Sequence, residues 1–140
     1  MSEQEREQFL AAVHVGVLSV ERPDGAPLVT PVWYRYDPGG VVELTTERST
    51  EKARLIEQTG HASLCVQREE VPYAYVTVEG PAEIATSDRA MRVDIASRYL
   101  GPEMGAGYVD HGPVADDVAI RIRPTRWRTN DFSKLDLPGA

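Results

Sequence analysis

Leu44-Thr45-Thr46-Glu47-Arg48-Ser49-Thr50-Glu51-Lys52-Ala53-Arg54-Leu55 begins as the end of a strand, passes through a hydroxyl-rich turn and opens a short helix. Ser49 or Thr50 is the N-cap, since a side-chain oxygen there accepts from the first turn's backbone N–H groups. The N–H groups left over, with the positive end of the helix dipole, form a ready anion site. Lys52 falls in that turn, where a cation is misplaced unless something negative docks beside it. Of the 15 basic residues only Lys52 and Lys134 are lysines. Two readings stand at this point. One is a phosphate cradle of Thr46, Thr50 and Lys52 beside Ser49. The other is an ordinary capped helix with solvated charges, in which Glu51 and Arg48 partly cancel the field.

Outward from this stretch, the 140 residues, 41% hydrophobic and 26% charged, are expected to make one domain over 1–140 with a core of its own. A formal net charge of -7 argues against non-specific binding to nucleic acid or anionic membranes. No apolar run reaches the roughly 18 residues of a membrane span, and the acidic start is unlike a secretion signal. The chain is therefore expected in the cytoplasm. Cys65 is the single cysteine and sits in the apolar run 62–66, which reads as a buried, inert thiol.

Before the opening stretch, Ser2 and Glu5 make a capping box for a short helix. Strands are expected over 14–21, 28–36 and 41–46, separated by Pro23-Asp24-Gly25 and Asp37-Pro38-Gly39-Gly40. Pro31 puts the second of them at an edge or a bulge. Beyond the helix 50–58 and its stop Gly60 come strands over 61–67 and 73–85, the latter bending at Gly80-Pro81. Thr86 or Ser87 caps a further helix with a buried Met91, Ile95, Tyr99 stripe. Residues 101–113, rich in glycine, read as a loop, Asp116-Asp117 as a solvated strand entry, and 118–128 as the last strand before a polar tail. Five or six strands joined mostly by tight turns describe a small antiparallel barrel.

His14, His61 and His111 are far apart and there is no CxxC, so no metal constellation is expected. Acyl- and phosphoryl-transfer glycine motifs are also missing, which leaves any chemistry to a bound cofactor. Thr30-Pro31-Val32-Trp33-Tyr34, the stretch 45–52, Ala62-Ser63-Leu64-Cys65-Val66 and Val76-Thr77-Val78-Glu79-Gly80-Pro81-Ala82-Glu83 together resemble the pyridoxamine 5'-phosphate oxidase-like FMN-binding split-barrel superfamily. Within it the chain looks most like the B group of flavin/deazaflavin oxidoreductases, many of which use coenzyme F420. The resemblance runs over about residues 13–128.

The resemblance implies a mainly β fold with α: a six-stranded antiparallel split β-barrel with flanking helices, paired as a homodimer. It puts a cofactor phosphate at Thr46, Ser49, Thr50 and Lys52, and the ring along Pro31, Val32 and Trp33. Tyr75, Trp127 and Arg128 are expected to approach from the partner chain, with Tyr75 or Tyr73 a candidate proton donor. The implied activity is F420-dependent hydride transfer to an unsaturated small molecule. FMN is the alternative cofactor, and a non-catalytic flavin or haem carrier, with His14, His61 or His111 as axial ligand, is the alternative role. Two departures count against pyridoxamine-phosphate oxidase activity itself. Glu51 stands where the oxidases have Arg, and no Arg-x-His follows Trp127.

Overall fold

The structure, a computed structural model, describes residues 1–112 and 116–135. Its strands are β1 (Gly16–Val20), β2 (Leu28–Val32), β3 (Val42–Glu47), β4 (His61–Arg68), β5 (Ala74–Thr86), β6 (Asp117–Ile122) and β7 (Arg126–Asp131). Every pairing is antiparallel, in the order β2-β1-β4-β5-β6-β3, with β7 added against β5. The six-stranded path is the expected split barrel. A seventh strand arises because the chain breaks at Arg123-Pro124-Thr125, so the stretch expected as one strand over 118–128 becomes β6 and β7.

The 13-residue β5 holds the two halves together. Its first half pairs with β4 and β7, and its second half with β6. The change of partner comes at Gly80-Pro81, where the sequence places a bend. There the β6–β7 connection crosses directly over β5, with Arg123 N–H donating to the Pro81 carbonyl and Thr125 N–H to the Glu79 carbonyl, both at 2.9 Å.

Alternation fills the barrel. Leu18, Val20, Leu44, Leu64, Val66, Val76, Val78, Ile120 and Ile122 point inward, and Leu10, Leu55 and Ile56 cap them from two helices. Each such side chain contributes about 1.5–3 kcal/mol through removal from water. The first helix, α1 (Glu3–Ala11), carries the expected capping box between Ser2 and Glu5. α2 (Glu51–Thr59) is capped by Thr50 and stopped by Gly60 in the left-handed region, φ 73°.

Four local expectations are corrected. β2 is an edge strand containing Pro31, but it leaves its ladder after Val32 rather than at residue 36. The reason is a local exchange of partners. The Tyr99 hydroxyl accepts from Tyr34 N–H at 3.1 Å and donates to the His14 carbonyl at 2.7 Å, while Arg35 makes an isolated bridge to Glu43. α3 (Arg89–Leu100) is capped by Asp88, not by Thr86 or Ser87, and of its expected stripe only Ile95 is buried. Cys65 is half-buried on the outward side of β4 instead of in the core.

The largest departure is α4 (Pro102–His111), a helix where glycine content suggests a loop; Pro113, at the end of that expected loop, lies outside the described residues, as do 136–140 of the tail. Pro102 at the first helical position, Glu103 in the first turn and His111 in the last are the helix signals that the glycines obscure. Gly105 is buried where α4 meets α3, with the Ser97 backbone so near that an added Cβ would lie 2.7 Å from Ser97 Cα. Gly105→Ala is expected to cost about 1–3 kcal/mol by prising α4 off α3. Thermal denaturation checks this, and an unchanged midpoint would show that α4 does not depend on that approach.

Candidate functional site

The residues of the opening stretch converge as their spacing suggests. β3 delivers Thr46, a buried polar residue, near its end. The Thr46 and Thr50 hydroxyls lie 3.1 Å apart. Thr50 Oγ1 also donates to the Glu47 carbonyl at 2.9 Å and accepts from Ala53 N–H at 3.4 Å. That leaves the N–H groups of Glu51 and Lys52 without an acceptor among the described residues.

The neighbouring charges are committed elsewhere. Glu51 turns away to Arg22, 2.6 Å from its Nε, and Arg48 pairs with Glu57 at 2.9 Å. Neither offsets Lys52. The Lys52 ammonium is half-buried, and burial alone pushes its pKa below the usual lysine value. Among the described residues no carboxylate lies within ion-pair distance of it. A desolvated cation with unspent amide donors beside it is a site suited to an anion.

Lys52 and Thr46 face a cavity of about 750 Å³. β2 and its continuation supply Pro31, Val32 and Trp33, while β3 adds Thr45 and Glu47. α3 contributes Arg92, Ile95 and Ala96, and β6 contributes Asp117. The fourth wall is α4, with Tyr108, Val109 and His111. Trp33 is braced from behind by Tyr99, stacked with ring centroids 4.9 Å apart and planes 8° from parallel, and Tyr108 approaches at 5.5 Å. The cavity is therefore lined both by a cation with a neighbouring hydroxyl, Lys52 and Thr46, and by the aromatic rings of Trp33 and Tyr108.

Five of the residues picked out from sequence, Pro31, Val32, Trp33, Thr46 and Lys52, meet at this cavity. Thr50 stands behind Thr46, and Ser49 is exposed in the turn. Tyr75, Trp127 and Arg128 do not reach it within one chain. Register puts Tyr75 opposite Gln67 and Asn130, and Arg128 opposite Thr77, on the outward side of the sheet with Val17, Pro31 and Cys65. Trp127 is opposite Val78 on the inward side, packed on the core with Arg6 4.6 Å above its ring and Tyr36 edge-on. Of the histidines, His14 bonds the Phe9 carbonyl and stacks on that ring, His61 opens on a separate groove, and only His111 lines the cavity.

Sequence reasoning missed Arg92, Tyr108 and Asp117 as cavity residues, and picked out His111 only as a candidate haem ligand. The Asp116-Asp117 pair looks solvated on paper, yet the Asp117 side chain is 6% exposed and accepts from Ser87 Oγ at 2.9 Å. Its partners come from distant segments, so no local pattern announces it. Among the described residues no group of acidic, histidine or cysteine side chains has metal-site geometry, and no helix is long and apolar enough to cross a membrane.

Comparison with known proteins bears on this geometry. A family model described as "Pyridoxamine 5'-phosphate oxidase" matches residues 2–131. Among solved structures, the conserved hypothetical protein Rv2991 from Mycobacterium tuberculosis is 30% identical, with TM-score 0.82 over 100% of this chain and 91% of its own. A protein titled "F420 Reductase" is 28% identical, with TM-score 0.63 over 87% of this chain and 94% of its own. A FAD-binding protein from Mesorhizobium loti shares the fold at 21% identity and TM-score 0.67, covering 92% of each chain. No curated protein matches the sequence.

Proposed function

Because the chain belongs to the pyridoxamine 5'-phosphate oxidase family of flavin-binding split barrels, we propose that it is an oxidoreductase that uses coenzyme F420, and that residues 1–140 form a single cofactor-binding domain. The observation that carries this is Lys52, a half-buried ammonium with no carboxylate partner among the described residues, lining a cavity that Trp33 also walls. A cofactor with an anionic tail fits that donor set.

In this reading Lys52, Thr46, Thr50 and Ser49 hold the tail phosphate, the ammonium by charge and the hydroxyls by hydrogen bonds. Pro31, Val32 and Trp33 wall the ring and exclude water from one of its faces. When bound, reduced F420 supplies a hydride to an unsaturated small molecule, and a solvent proton completes the two-electron reduction. What the protein adds is orientation within a dry cleft, which accounts for much of the rate without a dedicated acid.

The homodimer is proposed on the same footing. Val29, 61% exposed, with Val17, Pro31 and Cys65 forms an apolar outward strip on β1, β2 and β4, and Val15, just before β1, is 54% exposed; a second copy would cover them. Tyr75 and Arg128 share that side and would reach the partner's cavity, Tyr75 as a candidate proton donor, while Trp127 anchors the strand carrying Arg128.

FMN is the second reading, favoured by the match to an oxidase family model. Against it stands Glu51, an acid beside the phosphate lysine, engaged with Arg22. The two separate by equilibrium titration of F420, FMN and FAD, followed by turnover of reduced F420 with a panel of enones and quinones. F420 is expected to bind tightest and to be oxidised by at least one acceptor. Preference for FMN would replace F420 by FMN, and binding without turnover on any acceptor would make the protein a carrier.

A further inference from the structure

We propose that Arg92 is a second anion-binding point in the cavity, taking a negatively charged group of the cofactor tail other than the phosphate held at Lys52. This rests on the cofactor reading above and extends it to the chemistry of the tail.

Lys52 enters the cavity from α2 and Arg92 from α3. A guanidinium carries five N–H donors in a planar fork. Arg92 spends one: Nη1 lies 3.5 Å from Asp117 Oδ2, the far limit of a hydrogen bond, and among the described residues it has no other acceptor. The contrast is with arginines that serve the fold. Arg89 grips Asp110 with two bonds of 2.9 and 2.8 Å, and Arg35 binds both Glu43 and Asp94. Arg92 is nevertheless partly desolvated, with 26% of its side chain exposed. A partly buried fork with most of its donors unspent, on a cavity wall, is placed for a carboxylate or phosphate.

Asp117 explains why the fork stays there. It is nearly buried, held by Ser87, and opposite Glu47 across the β3–β6 ladder. Two acids directly opposite repel, and a cation beside them relieves that repulsion. Asp117 therefore positions Arg92 by one edge and leaves the other edge for the ligand. A tail that continues past its phosphate to carboxylates uses both Lys52 and Arg92, whereas FMN ends at a single phosphate and uses one.

The test is equilibrium binding of F420, of the deazaflavin lacking its tail and of FMN to the wild type, Arg92→Gln and Arg92→Lys. Arg92→Gln is expected to weaken F420 by about tenfold or more, to leave the tail-less deazaflavin unchanged, and to flatten the salt dependence of F420 binding. Arg92→Lys restores part of the loss. Equal weakening of the tail-less ligand, or none for F420, overturns the assignment while F420 binding by the wild type upholds the cofactor reading. A wild type that binds FMN but not F420 overturns it too, and one that binds no ligand overturns both. A melting curve of Arg92→Gln that matches the wild type separates loss of the anion contact from loss of fold.

Discussion

Lys52→Ala is expected to weaken F420 binding by about 10- to 100-fold, since a charge-assisted hydrogen bond in a partly buried site contributes about 1.5–3 kcal/mol. The protein should fold as well as the wild type or better, because in the unliganded chain this ammonium bears the cost of burial with no ion-pair partner among the described residues. Linkage fixes the pH dependence. Burial lowers the folded-state pKa of Lys52. The unfolded chain therefore holds more protons between that value and the ordinary one of about 10.4, and stability contributed by this group rises with pH across the window. Lys52→Ala should lack that rise. Affinity for an anionic tail should fall as pH climbs through the same window, because the ammonium is discharged. Calorimetric titration with F420 and thermal melts of both proteins read these effects. A variant that binds F420 as tightly as the wild type would falsify the cradle, and one that melts several degrees lower would show that Lys52 serves the fold.

The second large effect concerns architecture. Gly80→Ala should destabilise the protein by about 3 kcal/mol, a midpoint drop of roughly 10 °C for a chain of this size. A Cβ at residue 80 would overlap the Arg123 carbonyl oxygen and come within 3.0 Å of Thr125 Oγ1. Both belong to the β6–β7 connection, which is tied down on either side of the glycine by the hydrogen bonds to Pro81 and Glu79. Backbone cannot yield as a flexible side chain does. Gly25→Ala is the control, since a Cβ there meets nothing within 4 Å. Chemical denaturation of the two variants gives the comparison, and equal stabilities would mean that the crossing is looser than its hydrogen bonds indicate.

Much of this protein was legible in the order of its residues. Period-two alternation gave the strands, because one barrel face is apolar, and turn residues separated them. The capping box at Ser2, the Thr50 cap and the Gly60 stop located two helices, since these signals act within a few residues. The grouping of Thr46, Thr50 and Lys52 was readable for the same reason: they lie within seven positions of one another, and a strand-to-helix turn gathers them locally.

The remainder depended on contacts between distant segments. A run with four glycines, 101–112, became the helix α4 because Gly105 allows close packing on Ser97, a partner no local pattern names. Asp117 left solvent because Ser87 and Arg92, 30 and 25 residues away, meet it across the fold. Sequence alone thus determined most of the strands and the turn that gathers Thr46, Thr50 and Lys52, through interactions a few residues long. Tertiary structure alone decided which walls enclose that charge, because α3, α4 and β6 are brought to it by packing, and packing is settled only when the whole chain has closed.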